Sequence, residues 1–316
     1  MNKVIKWILI SSGILMAVGV VMIFIGKMFG GNVSYSLPLN MGSFYESYTD
    51  ANFVSEVYDL GDFSSLDVST SFVDIEIEKG TKSQLEVLVP EGFLPEISEE
   101  GDMLKIKQPN QNMGIQLNSV TKNPVYKITI STDDVLAASI ASTSGDITIA
   151  GVNIEGEIAS TSGDLFVSDT ICDSLTACST SGDKDMENCE MGYIELSGTS
   201  GDTKLSNIKA EKVKNNSTSG EFYASSSEID ELEMTSTSGD IYFDELTAQN
   251  ISIAGNSSTV SLFIFGNAED YDYDIVTTSG DIDIDGIEVE GKYRTSGNKP
   301  GSINISTTSG DVDISF

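Results

Sequence analysis

Carboxylates offer the first chemistry in this chain. Thr-Ser-Gly-Asp stands at 143–146 and again at 161–164, 180–183, 199–202, 237–240, 278–281 and 308–311, and Glu221 closes a variant at 218–221. If the repeats stack, Asp146, Asp164, Asp183, Asp202, Glu221 and Asp240 form a column of like charges ~4.8 Å apart. Such charges repel unless something satisfies them. One reading is that each side chain accepts backbone N–H groups of its own turn. The other is that calcium, which takes oxygen ligands, bridges neighbouring rungs. The densest acidic cluster, Asp281, Asp283, Asp311 and Asp313, supplies the candidate calcium ligands. The glycine-rich nonapeptide calcium repeat is not matched, because its period is about half of this one. No other cofactor motif is present.

Other site chemistries are narrowed by composition. The chain has no histidine, and Arg294 is its one arginine. That removes His-based nucleophilic and general-base sites and most His-containing metal sites. The Ser and Thr columns have no accompanying base and read as turn and ladder residues. An enzyme would have to use paired carboxylates, as glycosidic chemistry does. A carboxylate repeated in every unit looks structural, since a catalytic site is normally built once. Cys172 and Cys189 fall on apolar columns and read as small buried hydrophobes. Cys178 sits one residue off such a column and reads as exposed. A disulfide between adjacent rungs suits an exported protein, but its connectivity cannot be read from sequence.

These residues need a repeating scaffold. Gly145, Gly163, Gly182, Gly201, Gly220 and Gly239 are spaced by 18 and then by 19 residues, and Ser258 keeps the register after the glycine is lost. Gly280 and Gly310 carry the same motif further on. Apolar residues stand seven and five places before most of these glycines, a serine usually three before, and mostly apolar residues two and four after. Each unit is therefore a strand, a Ser-Gly turn, a second strand and a short return. Glycine at the turn permits a positive φ or a close approach of backbone. The expected fold is all-β: a single-stack, β-helix-like solenoid of ~19-residue coils. A β-sandwich also shows short strands at regular spacing, but the constant step with columns of like residues favours the solenoid.

The regular repeats cover 135–316. Residues 56–134 form an irregular β lead-in with alternating runs at Leu66, Val68, Ile75, Ile77, Leu85, Val87, Leu104, Ile106, Tyr126 and Ile128. Residues 107–124 read as a loop. The stretch from Glu288 to Gly301 reads as a second loop that caps the solenoid, since terminal repeats are usually atypical.

Residues 1–31 have a different character. Lys3 and Lys6 precede an uncharged run from Trp7 to Gly26, and Lys27 closes it. Twenty residues at ~1.5 Å each span the ~30 Å core of a bilayer. The run is longer than the apolar region of a signal peptide and lacks a convincing cleavage site, so an uncleaved transmembrane helix is expected. The two leading lysines place the N-terminus in the cytoplasm and residues 32–316 outside, with 32–55 as a juxtamembrane spacer. The formal charge is −32. With three lysines and no acid in 1–31, the remainder carries 14 basic against 49 acidic residues, or −35. Such a surface repels nucleic acid and anionic lipid.

The Thr-Ser-Gly-Asp-Ile-x-Ile pattern, the lead-in Phe63-Ser64-Ser65-Leu66-Asp67-Val68-Ser69-Thr70 and the closing Ser306-Thr307-Thr308-Ser309-Gly310-Asp311-Val312 carry a resemblance. Over roughly 55–316 the chain resembles the bacterial β-strand-repeat family labelled "putative adhesin", a domain of unknown function. Its N-terminal anchor is similar to that of family members in Gram-positive bacteria, some linked with cell-envelope stress operons. The resemblance implies no catalytic residues. The expected function is a binding or scaffolding module at the cell envelope, with a protein or an envelope glycan as partner. The alternatives are a carboxylate-dependent enzyme acting on polysaccharide, or an accessory of an envelope-stress system.

Overall fold

The computed structural model describes residues 53–109 and 123–316. The segment 1–31 read as a membrane helix, most of the spacer 32–55 and the centre of the 107–124 loop lie outside the described residues. Among the described residues no helix is long and apolar enough to cross a membrane.

In chain order the strands begin with β1 (Phe53–Asp59), β2 (Ser65–Ser69), β3 (Asp74–Lys79), β4 (Gln84–Pro90), β5 (Glu96–Glu100), β6 (Met103–Lys107) and β7 (Val125–Ile130). The regular array continues with β8 (Leu136–Ser142), β9 (Ile147–Ala150), β10 (Ile154–Ser160), β11 (Leu165–Ser168), β12 (Ile171–Ser179), β13 (Lys184–Glu187), β14 (Glu190–Gly198) and β15 (Thr203–Ser206). Then follow β16 (Lys209–Ser219), β17 (Phe222–Ser238), β18 (Ile241–Ser257), β19 (Val260–Ile264), β20 (Tyr271–Ile284), β21 (Ile287–Arg294), β22 (Gly301–Ser309) and β23 (Val312–Ser315). β1 takes in the last residues of the stretch read as spacer.

Two parallel ladders run the length of the array. On one, β8, β10, β12, β14 and β16 pair in sequence order, Ile140 beside Ile158 and Leu175 beside Ile194. On the other, β9, β11, β13, β15 and β17 do the same, Ile149 beside Val167 beside Met186 beside Leu205. β17 and β18 each turn the corner without a break and belong to both ladders. The inward side chains of the two ladders form one continuous core, with Ile140, Ile158, Ile194, Leu196, Val213 and Leu232 fully buried. Burying each such side chain stabilises the fold by roughly 1.5–3 kcal/mol, and like stacked on like keeps the column filled from coil to coil.

The ends are threaded out of sequence order. β8 and β9 stack on β2 and β3, which stack in turn on β6 and β7. β4 and β5 then turn back antiparallel on β7 and β6, and β1 pairs with β4. At the other end β18 and β19 stack on β22 and β23, and only then comes β20. The C-terminal coil therefore lies inside, between the coil ending at Ile264 and the coil 271–284. The Glu288–Gly301 stretch expected as a loop is largely strand: β21 pairs antiparallel with β20 and covers its edge. An added antiparallel strand with Glu288, Glu290, Lys292 and Arg294 along it closes the parallel stack with charge, which discourages edge-to-edge pairing.

Candidate functional site

The Thr-Ser-Gly-Asp turns lie above one another at one corner, as their column predicts. Their carboxylates are satisfied differently from the expectation. In six of the motifs Oδ1 of the aspartate accepts the backbone N–H of the equivalent residue in the next coil, not of its own turn. Asp146 accepts from Asp164 at 2.9 Å, Asp164 from Asp183 at 2.8 Å, Asp183 from Asp202 at 2.7 Å and Asp202 from Glu221 at 2.8 Å. Asp240 accepts from Thr259 at 2.9 Å, and Asp311 from Asp281 at 2.9 Å. A hydrogen bond from N–H to a charged acceptor is stronger than a neutral one, so each of these rungs offsets part of the repulsion between its carboxylates, whereas Glu221 donates its N–H to Asp202 without accepting one from the next coil.

Asp74 also belongs to this ladder and was missed from sequence. It accepts the N–H of Asp146 at 2.9 Å. It has no Thr-Ser-Gly before it, but it precedes Ile75-Glu76-Ile77 as Asp146 precedes Ile147-Thr148-Ile149. At this end of the ladder burial, followed by the charges of Asp146 and Glu76, raises the Asp74 carboxyl above its usual range, against the lowering effect of its bond to Asp146.

The glycines of the motif are required by contact. A Cβ on Gly163 would lie 2.6 Å from the carbonyl carbon of Gly145, and one on Gly182 2.5 Å from that of Gly163, with the carbonyl oxygens nearer still. Gly201 is left-handed as well, at φ 107°. Three places before, Ser142, Ser160 and Ser179 accept the N–H of Gly145, Gly163 and Gly182 at 2.8, 2.8 and 2.9 Å. A second corner was not seen in the sequence. Asp169, Asn188, Asn207, Ser226 and Glu245, each six places after a motif glycine, hold φ between 49° and 58°. Asn, Asp and other short polar residues tolerate this region best. The signal was a run of polar residues, most of them Asp, Asn or Ser, at one register. Asn207 donates to Asn188 at 2.7 Å across two coils of that corner.

The four candidate calcium ligands lie at the outer end of the array. Asp283 and Asp313 are paired in register on β20 and β23. Asp311 is engaged by the Asp281 N–H, and Asp283 accepts the Gly286 N–H at 2.7 Å. Burial, then the charges of Asp283 and Asp311, hold the Asp313 carboxyl above its ordinary range. Among the described residues no group of three or more Cys, Asp or Glu side chains is arranged to hold a metal ion.

Cys172 and Cys189 are buried and Cys178 is half-buried, and all three are free thiols, so the inter-rung disulfide does not form. Burial pushes the Cys172 and Cys189 thiols up to about 12 and about 11, which leaves them unreactive. On the outer face of β14, β16 and β17, Lys212 meets Glu231 and Glu233 at 2.9 Å, and Lys214 meets Glu195 at 2.9 Å. The inward column two places after the motif glycine holds two polar residues, Lys184 and Thr203. Lys184 stands between Leu165 and Thr203 and is only 2 % exposed. Burial lowers its amine below the usual lysine value, against the raising effect of Asp183, Cys178 and Asp202.

Residues 63–315 match the family model described as Toastrack DUF4097. No curated protein matches the chain. Among solved structures it is similar to a "putative adhesin" from Bacteroides fragilis NCTC 9343, at 13 % identity and TM-score 0.48, covering 85 % of this chain and all of that one. It is also similar to a "putative lipid binding protein" from Parabacteroides distasonis ATCC 8503, at 17 % identity and TM-score 0.42, covering 84 % of this chain and 98 % of the other. A "putative adhesin" from the same organism shares 10 % identity at TM-score 0.36, over 84 % and 98 % of the two chains.

Proposed function

The chain belongs to the Toastrack DUF4097 family, and from that premise we propose that it is a membrane-anchored, extracytoplasmic β-solenoid acting as a binding or scaffolding module at the cell envelope. The observation that carries this reading is the bonding of the carboxylate column. The repeated acids, which an enzyme or a metal site would need, accept backbone N–H groups from coil to coil. They bond one coil to the next, which leaves the outer faces of the stack as the proposed contact surface. Repeat proteins use such extended surfaces for binding. The −35 charge of residues 32–316 favours a basic or neutral partner, a protein or an uncharged glycan, over nucleic acid or anionic lipid.

The anchor rests on residues 1–31, whose apolar run and flanking lysines suit one membrane crossing with the N-terminus in the cytoplasm. The test is protease accessibility in cells stripped of their wall. A tag inserted after residue 40 is expected to be cleaved and a tag at residue 1 protected. Protection of both tags would overturn the extracytoplasmic placement.

A further inference from the structure

The array carries a furrow on the outside of its coils. Ile171, Glu190, Lys209 and Glu228 stack in register on β12, β14, β16 and β17, and Asp173, Gly192, Glu211 and Asp230 follow two residues later in each coil. Between the two rows Cys172, Met191 and Ala210 turn inward and are buried. The rows border a furrow of about 520 Å³ that also takes in Val135. Its coils are joined by the successive pairings from β8 to β17. At ~4.8 Å per step these make it about 24 Å long, the span of about seven residues of extended chain.

The two ends of the furrow differ in character. At one end Val135 and Ile171 are 45 % and 59 % exposed, although the column of Ile171 continues with Glu190, Lys209 and Glu228. Large apolar side chains left in water along one depression mark a contact surface. At the other end Glu211, Glu228 and Asp230 are exposed. Like Asp173, they take part in none of the ion pairs formed among the described residues. They thus differ from the carboxylates of the turn ladder, which accept N–H groups. Six carboxylates and one lysine line the furrow, and that lysine, Lys209, already stands 3.6 Å from Glu190.

We propose that this furrow binds an extended segment of another protein, apolar at the end that covers Val135 and Ile171 and rich in lysine or arginine at the end that meets Glu211, Glu228 and Asp230. The proposal rests on the reading of the chain as a binding module and names its surface and its partner's chemistry. Charge decides between occupants. Carboxylates without counter-ions attract a basic segment and speed its encounter, and the apolar end adds burial that fixes its direction. A second copy of this chain, with −35 over residues 32–316, has the wrong sign, as do nucleic acid and an anionic membrane.

The test is a fluorescence-anisotropy titration of the dye-labelled peptide Val-Ser-Ile-Ser-Gly-Lys-Ser-Lys-Ser-Lys with the full chain in non-ionic maltoside micelles, at fixed salt and against protein-free micelles. The wild type is expected to bind it saturably. Glu211→Gln/Glu228→Gln/Asp230→Asn is expected to weaken binding about tenfold. Glu91→Gln/Glu96→Gln/Glu99→Gln removes the same charge from exposed positions of the lead-in and should change it less than about twofold. Ile171→Ser, or serines in place of the peptide's Val and Ile, should weaken it about fivefold. All these variants alter exposed side chains, so the core stays intact. No saturable binding, equal weakening by the two triple variants, or undiminished binding of the serine-substituted peptide would overturn the proposal. Such a failure strikes the furrow alone, because the purified chain is tested without reference to its anchor, whereas the placement at the envelope stands or falls with the protease test.

Discussion

Stacked glycines predict a hierarchy of substitutions that separates backbone strain from collision between coils. Gly101 sits in the hairpin between β5 and β6 at φ 65°, with nothing within 4 Å of an added Cβ. Gly101→Ala therefore carries only the left-handed penalty, about 1–2 kcal/mol. Gly163 lies outside the left-handed region, but its Cβ would stand 2.6 Å from the Gly145 carbonyl carbon and 3.0 Å from Ser160 Oγ. The nearest atoms are backbone and cannot swing aside, so the two coils must part locally. Overpacking of this kind costs typically ~1–3 kcal/mol, occasionally more, and it also loosens the Asp146 to Asp164 rung. Gly201 carries both burdens, with φ 107° and a Cβ 2.8 Å from the Gly182 carbonyl carbon. Adding the two ranges gives about 2–5 kcal/mol for Gly201→Ala, and Gly201→Val should be worse. The assay is urea unfolding of the full chain in micelles, followed by far-UV circular dichroism. Because repeat arrays can lose cooperativity, the midpoint and slope are compared together. If Gly163→Ala costs no more than Gly101→Ala, close stacking of the turns is not what the motif glycine provides.

Two further outcomes follow from the outer end of the array. Asp313 has a raised carboxyl, so the folded state holds its proton more tightly than the unfolded chain, and stability falls as pH rises from the ordinary carboxylate value of 3.8 through the raised one. Asp313→Asn should therefore raise the unfolding midpoint slightly at neutral pH and change nothing below that window; the opposite pH order in melting curves would refute the assignment. For the threading, Ser252 and Asn304 are register partners, as are Asn304 and Asp274. Under mild oxidation Ser252→Cys with Asn304→Cys should form a disulfide that peptide mapping by mass spectrometry detects, whereas Ser252→Cys with Asp274→Cys should not, because the C-terminal coil lies between them.

Sequence and structure agree most where one residue type fills a column. The period, the two ladders, the inward rows and the corner occupied by Gly145, Gly163 and Gly182 all come from spacing alone, because each coil repeats one environment and each environment selects one kind of residue. The threading of the ends was not legible. Gly280 and Gly310 carry the same motif with the same flanking residues, and either order of their coils pairs like with like. Only β21, which needs an edge to cover, reveals that the coil 271–284 is the outer one. The partner of each aspartate was misread for a related reason. Spacing fixes the column, but not whether a side chain bonds within its coil or to the next, and that depends on a small offset between rungs. The left-handed corner at Asp169, Asn188 and Asn207 was hidden because its polar residues look like any solvated face. Lys184 went unremarked in a mostly apolar row, because only the fold brings its amine to the place that a side chain at Gly198 would fill.

The account depends most on the carboxylate column being a hydrogen-bond ladder, and one pair of variants tests that directly. Asparagine keeps an Oδ1 acceptor and removes the charge, whereas alanine removes both. The measurement is the melting temperature of Asp164→Asn/Asp183→Asn/Asp202→Asn beside the corresponding triple alanine variant, in chelator and in calcium at fixed ionic strength. A ladder predicts that the asparagine variant melts near or above the wild type, since repulsion is relieved and the bonds remain. It predicts that the alanine variant loses about 1–3 kcal/mol per unsatisfied N–H that stays buried, and that calcium adds nothing specific at these positions. A calcium-dependent rise in the wild type that both variants lose, with asparagine melting as low as alanine, would contradict the ladder and restore a metal-bridged column.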